Sequence, residues 1–384
     1  MSVKPVYIIR TGSFLPNAPV ANDAMETLLG QVGERPSRSR KMVLRSNQIH
    51  TRYYAIDPNT GEFNYTNAQL CAAAVRQLEG DGFSLQELTC LAAATSIADQ
   101  IMPGHGSMVH GELDAPVCEV ISTAGVCASG MSALKYAWLN VATGLHAQAV
   151  AAASEAASYA MKAENFEPEL ADKVAALETH PEIAFEKDFL RWMLSDGAGA
   201  FLLSGTAPQD NALALRIEWI DIFSYASEMP VCMYAGARKE ADGSLTGWQA
   251  VDRQTCNTQS FLSVKQDVKL LNEQIITYTA EKPLAQIKQK YGLAPEDIDY
   301  FLPHYSSGYF RDRLAAGMER AGFAVDMSRW FTNLSSKGNT GAASMYIMLD
   351  ELIHSGRLQR GEKILCYIPE SGRFTVAYML LEVV

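Results

Sequence analysis

The sequence has no uninterrupted apolar run of the roughly 20 residues that a membrane-spanning helix needs. Its first apolar stretch, residues 6–9, is too short for the core of a signal peptide and reads as a strand. Positive charge is not in excess: 32 Lys and Arg stand against 43 Asp and Glu, a net charge of −11. A nucleic-acid binder needs a dominant basic surface to displace counterions from phosphates, so that class is disfavoured. Low-complexity tracts and short-period repeats are missing, as are any CxxC pair and any Cys/His grouping at zinc-site spacing. The seven cysteines (Cys71, Cys90, Cys118, Cys127, Cys232, Cys256 and Cys366) are odd in number and sit mostly in apolar or small-residue runs. That usage predicts free thiols in a reducing cytoplasm. The ordinary role of such a cysteine is that of a small buried hydrophobe, so a chemical role needs a special context.

What is present is the composition of a globular α/β protein: 384 residues, 48% hydrophobic and 20% charged, enough for a sizeable core. Short apolar runs alternate with segments of helical period. Strands are predicted at 6–9, 91–94, 116–121, 149–153 and 198–203, then at 213–222, 298–303, 363–368 and 374–383. Helices are predicted at 67–78, 128–142, 268–279, 283–291, 309–321 and 342–354, the last stopping at Gly356. The strand–helix order is similar in the two parts, which predicts a half at 1–206 and another at 207–384. Segments 161–192 and 227–259 break the rhythm and read as insertions, which often build or cover a site. The basic cluster Arg35, Arg38, Arg40, Lys41 and Arg45 has two readings. It is a solvated segment, or a dock for a phosphate-bearing carrier such as coenzyme A or an acidic acyl carrier protein.

Chemistry concentrates in four short stretches. In the first, an apolar strand ends in a small-residue turn and Cys127 falls where the next helix opens. Free N–H groups and the positive dipole end of a helix favour thiolate over thiol, so the thiol pKa is expected to be lowered there. Ala128, Ser129 and Gly130 leave room for a substrate; the ordinary reading is a buried cysteine in a tight turn. In the second, His304 directly follows an apolar strand, at the sheet edge where α/β proteins bind ligands. In the third, Asn339 sits in a Lys-Gly-Asn-Thr-Gly loop that opens a helix, where its ordinary role is a turn or cap residue. In the fourth, Gly372 lies between the last two strands, allowing close backbone approach or simply a hairpin.

Taken together and in this order, these stretches resemble the ketoacyl synthase III branch of the thiolase superfamily. The match spans nearly the whole chain apart from the two insertions, and includes Thr11-Gly-Ser-Phe-Leu-Pro, Ala94-Thr-Ser and Asp196-Gly-Ala-Gly-Ala. The resemblance implies an α/β thiolase fold, two similar αβαβα halves forming a five-layered core. It implies Cys127, His304 and Asn339 as catalytic residues, with the backbone N–H groups of Cys127 and Gly372 as the oxyanion hole. It further implies acyl-CoA or acyl-ACP thioesters as substrates, no permanently bound cofactor, no metal, and a homodimer in which the loop after Ser96 reaches toward the partner's site.

The chain departs from the family at two points. The usual run of glycines reads Glu-Ser-Gly-Arg around Gly372, and Arg52 stands at the family's N-terminal arginine without the preceding glycine. The segment ending at Asp196 is similar to the secondary-metabolite subgroup that includes dialkylresorcinol- and cyclohexanedione-forming ketosynthases. The implied activity is acyl transfer with Claisen-type condensation onto a malonyl- or β-ketoacyl-thioester. The alternative is a thiolase-fold acyltransferase that passes the acyl group to oxygen or nitrogen. A 3-hydroxy-3-methylglutaryl synthase-like reaction would need a carboxylate base such as Glu155 or Glu370, and a non-catalytic partner subunit would need no Cys, His and Asn set. Ile101, Met102 and the 189–194 stretch are candidate walls of an acyl tunnel, or plain core.

Overall fold

In the first half, Cys90-Leu-Ala-Ala-Ala-Thr and the alanine-rich run 148–155 are buried on both faces, the pattern of strands covered by helices on either side. The computed structural model describes residues 4–33, 40–166, 190–208 and 212–384. Arg35, Arg38 and Phe189, and most of the 161–192 segment, lie outside the described residues.

The main sheet uses β1 (Tyr7–Phe14), β2 (Cys90–Thr95), β3 (Glu119–Ala124), β4 (Gln148–Glu155), β5 (Gly197–Ser204), β6 (Leu215–Ser224), β7 (Tyr300–Pro303), β8 (Lys363–Pro369) and β9 (Thr375–Val383). The spatial order is β7-β8-β9-β6-β1-β5-β4-β2-β3. The run β2-β4-β5-β1 pairs parallel, antiparallel, antiparallel. The run β7-β8-β9-β6 does the same. The two runs join where Tyr7 pairs with Arg216 and Ile8 with Leu215, beside the hydrogen bond from the Ile217 N–H to the Val6 carbonyl at 2.9 Å. One topology has thus been used twice.

Seven helices cover the strands: α1 (Asn67–Arg76), α2 (His105–Gly111), α3 (Ser129–Thr143), α4 (Val268–Ile276), α5 (Lys282–Tyr291), α6 (Arg311–Arg320) and α7 (Ser344–His354). Alternation along each strand sorts side chains into layers. Leu91 and Ala93 pack with Leu70 and Val75 of α1 and Val109 of α2. Cys90, Ala92 and Ala94 face the other way, into the cluster of Met131 and Leu134 of α3 and Tyr346 and Leu349 of α7. Ile220 and Met379 of the second half join that same cluster. Beyond them, Leu271, Leu284 and Leu314 of α4–α6 pack on Leu365 and Tyr378. Helix, sheet, helix, sheet, helix makes five layers, with α3 and α7 in the middle.

Three expectations change. The strand expected at 116–121 as buried runs from Glu119 to Ala124 at the sheet edge, and its side chains are largely accessible because only β2 flanks it. The helix expected to open at Pro283 is continuous with α4 through a π-turn at Thr277–Glu281. Pro283 comes just after that π-turn, where the regular i→i−4 ladder is already interrupted and a missing N–H is tolerated. The 227–259 segment contains a short hairpin, Ala237–Lys239 with Leu245–Gly247, and a helix at Arg253–Thr258. Among the described residues no helix is long and apolar enough to cross a membrane. All seven cysteines are free thiols.

Candidate active site

β3 leads into Gly125, whose φ of 154° lets the chain turn out of the strand. The turn is held by Ser129, whose N–H (3.0 Å) and Oγ (2.7 Å) both donate to the Val126 carbonyl. Cys127 sits inside this turn, two positions before the first residue of α3 and only 8% exposed.

His304 continues β7 by one residue: its N–H donates to the Tyr367 carbonyl of β8 at 2.8 Å. The ring is buried and Nε2 has no hydrogen-bond partner. Burial lowers its pKa to about 4, so the imidazole is neutral at physiological pH. Asn339 is held by a crossing segment: its N–H donates to Met193 O and its carbonyl accepts the Ser195 N–H, each at 2.9 Å. Its Oδ1 accepts the Gly341 N–H at 2.9 Å, which orients Nδ2 as the free donor.

Cys127, His304 and Asn339 line one cavity of about 940 Å³, its open mouth included. The remaining wall is mostly apolar, with Met161, Met193, Leu194, Leu271, Ile275 and Leu314 among its residues. Glu155 also lines it. That carboxylate accepts the Ser96 N–H (3.0 Å), the Ser96 hydroxyl (2.5 Å) and the Ala342 N–H (3.0 Å). Burial nevertheless pushes its pKa up to about 7. Pro369 and Ser371 reach the cavity from the turn after β8; Gly372 lies one residue further on, buried, with its carbonyl accepting the N–H groups of Cys232 (2.9 Å) and Met233 (3.2 Å).

The thiol does not behave as the helix end alone implies. Burial, and then the negative charges of Glu370 and Glu155, push the Cys127 pKa far above the usual thiol range. The resting Cys127 sulfur is therefore a thiol, because desolvation of a charge in a closed pocket outweighs a partial dipole charge.

Other expectations sort as follows. Ile101 and Met102 are 78% and 79% exposed and do not line this cavity. Of the 189–194 stretch, Met193 and Leu194 form cavity wall, while Leu190 and Trp192 are core. Arg52 is fully buried, donating to Asn22 Oδ1 (2.7 Å) and the Trp192 carbonyl (3.0 Å), a structural tie. Arg40 is held by Glu26 at 2.5 Å, whereas Lys41 and Arg45 are exposed on helix Arg40–Asn47. The walls supplied by α4 and α6 carry no signal of their own in the sequence, since apolar residues at helical spacing read as ordinary core. Outside this cavity, Cys90, Glu119 and His146 bring three ligand-type atoms together. There His146 is hydrogen-bonded to both Glu119 and Thr89 at 3.0 Å.

Comparison with known proteins shows what the chain is similar to. Residues 289–378, which hold His304, Asn339 and Gly372, match the family described as 3-oxoacyl-[acyl-carrier-protein (ACP)] synthase III C terminal. A β-ketoacyl-[acyl-carrier-protein] synthase III from Sphingopyxis alaskensis is 24% identical over 355 residues, 92% of each chain. The structure of AbyA1, a tetronic acid condensing enzyme, superposes with a TM-score of 0.72 at 19% identity, covering 98% of this chain and 99% of that one. OleA from Xanthomonas campestris, solved with lauric acid and lauroyl-CoA, gives a TM-score of 0.71 at 20% identity and 99% coverage of both chains. By sequence the chain is similar to β-ketoacyl-[acyl-carrier-protein] synthases III, and its fold is that of these enzymes and of the AbyA1 and OleA structures.

Proposed function

We propose that this protein is a ketosynthase that takes an acyl group onto Cys127 and joins it, by Claisen condensation, to a malonyl- or β-ketoacyl-thioester. One observation carries the reading: a cysteine, a neutral histidine and an asparagine from three distant stretches line a single, mostly apolar cavity. In the first stage the Cys127 sulfur attacks the acyl thioester carbonyl and the carrier thiol leaves, taking up the proton that the cysteine gives up. The backbone N–H groups of Cys127 and Gly372 stabilise the oxyanion, each such donor being worth about 3 kcal/mol. In the second stage His304 and Asn339 donate hydrogen bonds to the extender's thioester carbonyl. Loss of CO2 from a malonyl extender then gives an enolate, whose carbon attacks the acyl-cysteine carbonyl; collapse of the adduct expels the Cys127 sulfur as thiolate, which takes up a proton from solvent.

Coenzyme A or an acyl carrier protein brings the thioesters, and exposed Lys41 and Arg45 suit its phosphate. The apolar wall suits an alkyl chain, as does the lauric acid bound by the OleA relative. The product class we favour is dialkylresorcinol-type secondary metabolism, on the sequence that ends at Asp196. The halves 1–206 and 207–384 divide the work, the first supplying Cys127 and the second His304 and Asn339. We further propose a homodimer, supported by the unpaired edge of β3 and by exposed Ile101, Met102 and Val117, the last 99% exposed. Seven free thiols suit a reducing cytoplasm.

Intact-mass analysis after incubation with a panel of acyl-CoAs tests the first stage: the protein gains one acyl mass and Cys127→Ala gains none. Adding malonyl-thioester to the acylated protein then releases CO2 and forms a carbon–carbon bond. An acyl adduct on the alanine variant, or acylation that passes only to oxygen or nitrogen acceptors without CO2, overturns the proposal.

A further inference from the structure

Glu370 stands where the family has its run of glycines, and neither stage of the reaction uses it. Its N–H closes the turn after β8 on the Thr375 carbonyl at 2.7 Å. Its side chain crosses to the other half of the molecule, where Oε2 accepts the Val126 N–H at 3.1 Å. Burial raises its pKa, and the Val126 and Ala128 N–H groups oppose that shift by stabilising the charge. One half-buried carboxylate therefore engages backbone donors on both sides of Cys127. It is packed between two glycines: a methyl group on Gly372 would stand 3.1 Å from Oε1, and one on Gly125 would stand 3.5 Å from Oε2. The Gly372 turn is pinned from its far side by the N–H groups of Cys232 and Met233. Arg373 points away, donating to the Met229 carbonyl at 2.9 Å, and so leaves the carboxylate without a cation from its own turn.

We propose that Glu370 is a positioning residue: by tying the Gly372 turn to the Cys127 loop, its carboxylate sets the spacing of the two oxyanion donors and places a negative charge beside the thiol. Its use in catalysis rests on the ketosynthase reading; the tie and the charge do not. The groups that act on the thiol are Glu370 and Glu155, while His304 shares the cavity and Asp196 acts on Glu155. Glu370's charge is the one that links the two turns.

The test uses Glu370→Gln and Glu370→Ala in the full chain, with two readouts. The first is the pH dependence of Cys127 alkylation by iodoacetamide, followed by mass spectrometry of the Cys127 peptide, which requires no condensing activity. Glutamine keeps an oxygen to accept the Val126 N–H but removes the charge. Its alkylation profile moves to lower pH by about one unit, so the variant reacts roughly tenfold faster on the rising limb. The second readout is the rate of acylation by acyl-CoA. The glutamine variant, which keeps the tie, does not fall below the parent, whereas the alanine variant, which loses the tie, falls at least tenfold. A glutamine profile that superposes on the parent's overturns the proposal, as does an alanine variant that acylates at the parent rate. If no thioester acylates even the parent, the ketosynthase reading fails, and the alkylation profile still decides on Glu370.

Discussion

At the scale of single residues, the cavity is defined by groups kept neutral. Burial alone drives the His304 pKa to about 4, and burial with two nearby carboxylates drives the Cys127 pKa up. A neutral imidazole can donate to a thioester carbonyl without leaving a buried cation when the enolate collapses. Asn339 can donate because its oxygen is already committed to the Gly341 N–H. In the proposed reaction the two donors act in the second stage, so His304→Ala and Asn339→Ala are expected to take up an acyl group on Cys127 at near the parent rate. Each then loses roughly 100- to 1000-fold in condensation, the effect of one oxyanion donor. Rapid-quench mass spectrometry of the acyl-protein, set beside product formation, separates the two. Equal losses in both stages would remove the asparagine and histidine from their assigned step.

At the scale of elements, the site exists because the middle layer is thin. Gly130 of α3 lies against the Ala342 carbonyl just before α7, and Gly199 of β5 lies against Tyr346. These contacts bring the turn before α3 and the turn before α7 to the same cavity, one carrying Cys127 and the other Asn339. Gly130→Ala places a methyl group on a backbone carbonyl that cannot rotate away. It is expected to cost about 1–3 kcal/mol, the range for overpacking a close-packed core, and to slow acylation because Cys127 lies three residues upstream. Thermal unfolding beside Gly247→Ala, where an added methyl meets nothing within 4 Å, checks this. Equal melting temperatures for the two variants would show that the helices have slack. Element positions were largely legible in the sequence because small-residue strands and amphipathic helices have distinct periods. The π-turn between α4 and α5 was not, since apolar spacing alone cannot distinguish one continuous helix from two.

At the scale of the whole molecule, buried titrating groups give stability a pH dependence. Glu155 and Asp196 have folded-state pKa values raised to about 7 and about 6, chiefly by burial. For an acid with a raised pKa the folded state holds the proton more tightly, so stability is lost as pH rises from the unfolded value toward the folded one. His105 and His304, lowered to about 4, act in the opposite sense and lose stability as pH falls below about 6.5. Glu155→Gln keeps an oxygen for the Ser96 and Ala342 N–H groups and turns its amide toward Thr95 Oγ1, 3.5 Å from Oε2. Its stability relative to the parent should rise between pH 5 and 8, approaching about 3 kcal/mol as an upper bound. Urea unfolding across that range measures the gap; a difference that does not change with pH would mean that folding leaves the Glu155 carboxyl at its ordinary pKa, charged in both states.

The sequence by itself determined the two-part strand–helix order and singled out Cys127, His304 and Asn339. Each follows or opens an element within a turn of small residues, and such turns are local features of the chain. Tertiary structure alone decided which groups are dry. It reversed the shift expected for the thiol, because a helix end is local but desolvation depends on everything packed around it. It turned Ile101 and Met102 outward and supplied walls from α4 and α6 in their place. It also brought the carboxylate of Glu370 to the loop of a cysteine 243 residues earlier in the chain, a meeting set by how the two runs of the main sheet pack on α3 and α7 rather than by any pattern along the sequence.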